Sequence, residues 1–235
     1  MKPGPADLKS ELERQIGYRF GDPELLREAL THASFARERD GSCGNERLEL
    51  LGDAALDLVV TEALYRAHPD WSEGALTRAR AALVNGSALA ARARELELGT
   101  WLRLGRSEQR SRGFEKASIL ANVFEALAGA LYLDGGIPAV EALVRVTLPR
   151  AFDPEAPPAP PDPKTRLNEW ADLQGGSRPI YRLLRDSGEE DAEDRFTVAV
   201  ELEGQLLAQA TGRTKRSAER QATAGALARL ERAEE

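Results

Sequence analysis

The segment NERLELLGDAALDLVV, beginning at Asn45, has the apolar spacing of a helix packed into a core, yet it carries Glu46, Glu49, Asp53 and Asp57. Glu46, Glu49 and Asp53 stand at i, i+3 and i+7 and share one helical face, while Leu48, Leu51, Ala55, Leu56 and Val59 occupy the others. Carboxylates are costly to bury unless a cation or hydrogen-bond donors meet them. A second segment, ASILANVFEALAGALYLD, has Glu125 as its only charge between Ala117 and Leu133, with Asn122 one turn earlier on the same face. Gly52 and Gly129 lack side chains and would let two such helices approach closely. If those helices pack together, Glu49, Asp53, Asn122 and Glu125 converge. Three carboxylates and an amide oxygen make a hard donor set suited to Mg²⁺ or Mn²⁺. The pattern alone leaves a second reading open, in which the acids form a solvated face paired with Arg47 or Arg78.

The elements that must position these residues are helices. GDPELLREAL offers Asp22 as an N-cap with Pro23 at the first helical position, SEGALTRARAAL offers Ser72 as a cap, and IPAVEALVRVTL opens with proline just inside its start. Gly17, Gly99 and Gly135 sit where helices would stop. No strand-like alternation of any length occurs before residue 151, so residues 1–151 are expected to form an all-α domain. FDPEAPPAPPDP, residues 152–163, is too rich in proline to be helical and reads as a semi-rigid linker. After it the period changes. DPKTRLNEWADLQG reads as a capped amphipathic helix. RPIYRLLRD, RFTVAVELEG and QLLAQATG read as strands, the last two joined by a Glu203-Gly204 turn. TKRSAERQATAGALARLERAEE closes as a helix capped by Thr214. Residues 164–235 are thus an α-β-β-β-α module.

Composition narrows the function. The chain has 235 residues, 42% of them hydrophobic, enough for one or two folded domains. A net charge of -7 and a pI near 5.2 argue against a general polyanion binder, so any nucleic-acid contact must be local. Cys43 is the only cysteine, which leaves no intrachain disulfide and no cysteine-based zinc site. The amino terminus MKPGPADLKSELERQIG has no apolar core after Lys2, and no run of about 18 uncharged apolar residues occurs. A cytoplasmic protein with no membrane partner is expected.

NERLELLGDAAL resembles the signature of ribonuclease III. LTHASFA, SEGALTRARAALVN and ILANVFEALAGALYLDGG follow the same resemblance in the same order, and DPKTRLNEW, FTVAV and TKRSAERQATAGAL resemble a double-stranded RNA-binding domain. The resemblance covers nearly the whole chain. It implies a homodimeric, Mg²⁺-dependent endoribonuclease, with Mn²⁺ able to substitute and no small-molecule cofactor. Such an enzyme cuts duplex RNA to 5′-phosphate and 3′-hydroxyl ends with short 3′ overhangs, in the processing of ribosomal and other RNA. By motif position Glu49, Asp53 and Glu125 look like metal ligands with Asn122 beside them, and Glu46 and Glu73 match further acids of the catalytic valley. The family usually has aspartate where this chain has Asn122, which should lower metal affinity. The competing reading is a non-cleaving duplex-RNA-binding protein that keeps the nuclease fold.

A-form RNA is recognised by shape, through 2′-hydroxyls and phosphates. The resemblance assigns a minor-groove contact to Lys164, Thr165, Asn168 and Glu169, with Asn168 in place of the common glutamine. Lys215 and Arg216 open the closing helix, where backbone N–H groups and the helix dipole also favour phosphate. In the loop DSGEEDAEDRF the family places a histidine for a second groove contact, and this chain offers acids instead, so weaker binding by the isolated module is expected. His32 and His68 are expected to be structural, Trp71, Trp101 and Trp170 to be packing residues, and Phe35 to be an exposed apolar residue available for dimer contact.

Overall fold

A computed structural model of the chain describes residues 5–39, 41–158, 162–189 and 192–234. The chain divides into two compact units, Met1–Ala159 and Pro160–Glu235.

The first unit is helical. It comprises α1 (Pro5–Ile16), α2 (Pro23–Ala29), α3 (Ala33–Arg39), α4 (Glu46–Ala67), α5 (Glu73–Val84), α6 (Gly86–Glu95), α7 (Arg106–Arg110) and α8 (Ala117–Thr147). Among the described residues its only extended pairing is an isolated bridge between Thr31 and Arg103. The capping residues act as their types require. Asp22 accepts from the Glu24 amide at 2.8 Å with Pro23 just inside α2, and Ser72 accepts from the Ala75 amide at the start of α5.

The centre of this unit is α8, packed mainly against α4 and α6, with Val123, Phe124, Leu127, Ala128 and Leu131 fully buried. By length and composition α8 could cross a membrane; half of its most apolar window is buried inside the fold. Its two halves are separate helices in backbone terms, because Gly136 adopts φ +67° and ψ −161° and Pro138 opens the second half. The break therefore falls at Gly136, one residue beyond the expected Gly135, which is instead a close-contact glycine whose Cβ would lie 2.3 Å from the Tyr18 hydroxyl. Gly17 ends α1 at φ +67°, as expected, while Gly99 lies inside a 3-10 turn, Leu98–Thr100. Asp134 ties α8 to the α1–α2 connection, accepting from the Tyr18 hydroxyl at 2.7 Å and from the Gly21 and Asp22 amides at 2.8 Å each.

The 3-10 turn Pro149–Phe152 packs onto this core, with Ala151 buried and the Arg145 guanidinium 4.1 Å from the Phe152 ring centroid. At the other end of the proline-rich stretch, Asp162 caps the next helix and Pro163 is its first residue.

The second unit is α9 (Pro163–Leu173), β1 (Ile180–Asp186), β2 (Phe196–Leu202), β3 (Gln205–Gly212) and α10 (Lys215–Glu234), with an antiparallel sheet in the order β1-β2-β3. Val200, Leu167, Ala222, Ala226 and Leu227 form its core, the alanines letting α10 lie close to α9 and the sheet. Glu203 and Gly204 both have positive φ, 50° and 80°, the backbone of a tight hairpin turn whose twist matches its strands. Thr214 caps α10 reciprocally, its hydroxyl accepting from the Ser217 amide while the Ser217 hydroxyl accepts from the Thr214 amide, both at 3.1 Å.

Candidate active site

Two glycines set the geometry. A Cβ on Gly52 would lie 1.7 Å from the Glu125 carbonyl oxygen, and one on Gly129 would lie 2.2 Å from the Leu48 carbonyl oxygen. Only hydrogen at both positions allows α4 and α8 to touch backbone to backbone. The acid-bearing faces of the two helices are thereby brought side by side.

Glu49 is half-buried and accepts a hydrogen bond from the Asn122 side-chain amide. Burial raises its proton affinity and the Asn122 bond opposes that rise, while the nearby charges of Glu46 and Asp53 reinforce it. Glu125 is pushed up to about 7, first by burial and then by Asp53 and Glu49. Asp53 is exposed at the rim of the group. Four of the expected residues, Glu49, Asp53, Asn122 and Glu125, are therefore neighbours.

The other two stand differently. Glu46 lies beside Glu49 but forms an ion pair with Arg37 at 2.7 Å. Glu73, the first residue of α5, accepts from the Thr77 hydroxyl at 2.9 Å and is exposed. Arg37 was not legible as a partner, because it lies on a different helix nine positions before Glu46, a separation that no helical spacing rule links. The arginines considered from sequence do not neutralise the group: among the described residues Arg47 and Arg78 form no ion pair with these acids, and Arg78 Nε is buried without a hydrogen-bond partner. Arg80 takes Asp57 instead, at 3.5 Å.

Among the described residues no ion pair reaches Glu49, Asp53 or Glu125, and no three Asp, Glu, His or Cys groups already close around a cation-sized point. The charge of Asp53 adds to the raised proton affinity of both Glu49 and Glu125, and that of Glu49 adds to the rise at Glu125. Every donor is oxygen, which fits a hard divalent ion and not a thiophilic one. Burial first, and the neighbouring charges after it, favour a proton on Glu125; a positive ion would offset both.

The remaining expectations resolve simply. His32 Nδ1 faces the Ser34 hydroxyl at 2.8 Å and the Ser34 amide at 3.2 Å, and burial lowers its pKa, the behaviour of a structural acceptor. His68 caps the end of α4, buried and stacked on Trp71 at 3.6 Å. Phe35 is not an exposed apolar residue. It is half-buried, with Arg103 4.4 Å and Arg39 5.5 Å from its ring centroid. Three of the large exposed apolar side chains stand on α4 instead: Leu50, Leu58 and Tyr65, at 75%, 56% and 69% exposure, lie along one side of that helix.

In the second unit Thr165, Asn168 and Glu169 share a face of α9, while Leu167 and Ala171 point into the core. Lys215 and Arg216 are exposed in the first turn of α10. Lys164 does not stand free with either group: its ammonium lies 2.5 Å from Glu219 on α10. In the β1–β2 loop Asp186 is held by Arg195 at 3.0 Å; Glu190 and Asp191 lie outside the described residues.

Comparison with known proteins supplies an independent line. Residues 22–151 match a family model described as ribonuclease-III-like, and residues 163–230 match the double-stranded RNA binding motif. The chain is 46% identical over 232 residues to ribonuclease 3 of Geobacter sulfurreducens, covering 97% of this chain and 93% of that one. It is also 46% identical over 220 residues to ribonuclease 3 of Streptomyces coelicolor, covering 92% and 77% respectively. Among solved structures, the nuclease domain of ribonuclease III from Campylobacter jejuni aligns with 43% identity and a TM-score of 0.55 over 58% of this chain and 94% of that one; it is described as flexible in a region involved in dimer formation.

Proposed function

The chain belongs to the ribonuclease III family and is an endoribonuclease, and from that premise we propose that it hydrolyses double-stranded RNA with Mg²⁺, or Mn²⁺ in its place, at the α4–α8 acidic group. The observation that carries the reading is that Glu49, Asp53 and Glu125 lie close enough for their charges to interact, with no ion pair to any of them among the described residues. Glu49, Asp53 and Glu125 are the residues that would hold the ion. Asn122 orients Glu49 through its amide N–H and keeps its carbonyl oxygen as a further donor. When bound, a divalent ion supplies Lewis-acid polarisation of the scissile phosphate and a lowered pKa for attacking water. Glu46 and Glu73 add negative charge to the same valley, and the Arg37 pair holds Glu46 in place.

The products are 5′-phosphate and 3′-hydroxyl ends with short 3′ overhangs, which requires two sites acting on opposite strands and hence a homodimer. The α4 stripe of Leu50, Leu58 and Tyr65 supplies apolar surface of the kind a dimer contact buries. Substrates are structured RNAs, ribosomal precursors among them, in the cytoplasm. The second unit binds the duplex by shape, with Thr165, Asn168 and Glu169 toward the minor groove and Lys215 and Arg216 toward phosphate.

The test is incubation of an end-labelled perfect RNA duplex with the protein and Mg²⁺, with Glu125→Gln as control. Cleavage by wild type and retained binding without cleavage by the variant are expected. A duplex bound by wild type yet left intact would show a binding protein on a nuclease fold.

A further inference from the structure

Lys164 is the second residue of α9, on the same turn as Thr165. A lysine in that place is available to RNA only if its ammonium reaches solvent. Here it reaches across to α10 and β1 instead. Nζ lies 2.5 Å from Glu219 Oε2 on α10 and 4.4 Å from the centroid of the Tyr181 ring on β1. The Glu219 side chain is 16% exposed and that of Lys164 36%, so the pair is partly shielded from water. The partners are themselves fixed. The Tyr181 hydroxyl is hydrogen-bonded to Thr223 Oγ1 at 3.2 Å, and buried Thr223 donates to the Glu219 carbonyl at 2.6 Å. One ammonium thus joins α9, α10 and β1 at a single point.

The location of that point gives it a consequence for binding. Glu219 is at i+4 from Lys215 and i+3 from Arg216, one turn along the same helix face. Glu219 is engaged by Lys164, and Lys215 and Arg216 have no ion pair among the described residues. The pair also fixes the start of α9, with its Thr165, Asn168 and Glu169 face, against the start of α10.

Resting on the reading of this unit as the duplex-RNA-binding module, we propose that Lys164 is a positioning residue and not a phosphate contact. It sets the spacing between the α9 groove-facing surface and the Lys215–Arg216 helix start.

The experiment uses the full chain and a blunt RNA duplex with EDTA present, measuring Kd over a series of salt concentrations. The variants are Lys164→Met, Lys164→Glu and the exchange Lys164→Glu with Glu219→Lys. A phosphate contact at Lys164 would lower the slope of log K against log salt by about one when removed. The positioning role predicts binding weaker by roughly five- to tenfold for Lys164→Met with the slope unchanged. It also predicts that the exchange variant recovers most of the affinity that Lys164→Glu loses. A slope reduced by about one in Lys164→Met, or an exchange variant as weak as Lys164→Glu, would overturn the proposal. If Lys164→Met does not fold, the exchange variant, which rebuilds the pair in reverse, decides alone. Wild type that fails to bind the duplex would instead sink the reading of the module, a separate and visible result.

Discussion

Gly52 and Gly129 interlock across α4 and α8: a Cβ on Gly129 would sit 3.2 Å from the Gly52 amide nitrogen and 2.2 Å from the Leu48 carbonyl oxygen, while one on Gly52 would strike the Glu125 carbonyl oxygen at 1.7 Å. All the atoms struck are backbone, so neither clash can be relieved by turning a side chain. Gly52→Ala should therefore separate the two helices, destabilise the protein by about 3 kcal/mol and reduce cleavage well beyond the loss of stability, since Glu49 and Asp53 would move away from Glu125. Chemical unfolding alongside single-turnover cleavage at a temperature where the variant is folded checks this. An alanine variant of wild-type activity would show that the close crossing is not what assembles the site.

The raised proton affinity of Glu125 gives stability a pH dependence of definite sign. With its pKa at about 7 in the folded chain against an ordinary 4.5, the native state holds this proton more tightly than the unfolded state. Its contribution is fully present below the ordinary value and is lost as pH rises through 7. In EDTA, wild type should lose about 1 to 2 kcal/mol from this group between pH 5 and pH 8, after allowance for solvent screening of a half-buried carboxylate. Glu125→Gln should lack that component and be the more stable protein at pH 8. Parallel melting curves for the two proteins across the range measure it, and curves that stay parallel would contradict it.

Asn122→Asp exchanges a donor that holds Glu49 for a fourth negative charge. Without a divalent ion the variant should be less stable than wild type, because the Asn122 to Glu49 hydrogen bond becomes a repulsion. With the ion the order should reverse, and half-saturating Mg²⁺ for cleavage should fall by roughly tenfold, the factor that 1.4 kcal/mol carries. A metal titration of both proteins reads the shift; an unchanged midpoint removes the charge argument.

Lys215 and Arg216 stand exposed at the start of α10, where their charge adds to that of unpaired backbone N–H groups. Replacing both with alanine should weaken duplex-RNA binding and lower the salt slope by about two, one for each phosphate no longer neutralised. The melting temperature should hardly move, as neither side chain is packed. Equal affinity at low salt would rule out this placement.

Leu50, Leu58 and Tyr65 expose apolar surface along one side of α4. Introducing arginine at Leu58 should shift the protein toward monomer in sedimentation and depress cleavage of both strands together. A dimer unaffected by that change would place the contact on another face.

Much of this molecule was legible in the chain itself. The spacing of Glu46, Glu49 and Asp53 on one helix face, the caps at Asp22, Ser72 and Thr214, the Glu203-Gly204 turn and the change from helical to strand periodicity are all local properties. They follow from dihedral preferences and from side-chain angles about a helix axis, which neighbours in sequence determine. What lies between elements was not local. That Arg37 takes Glu46, that Lys164 turns from RNA to Glu219 55 positions away, that Phe35 hides beneath two arginines, and that Glu125 keeps its proton to about 7 were decided only when helices packed. The reason is physical: sequence spacing fixes direction within an element, whereas ion pairing and desolvation depend on distances between elements, and those exist only once the core has closed.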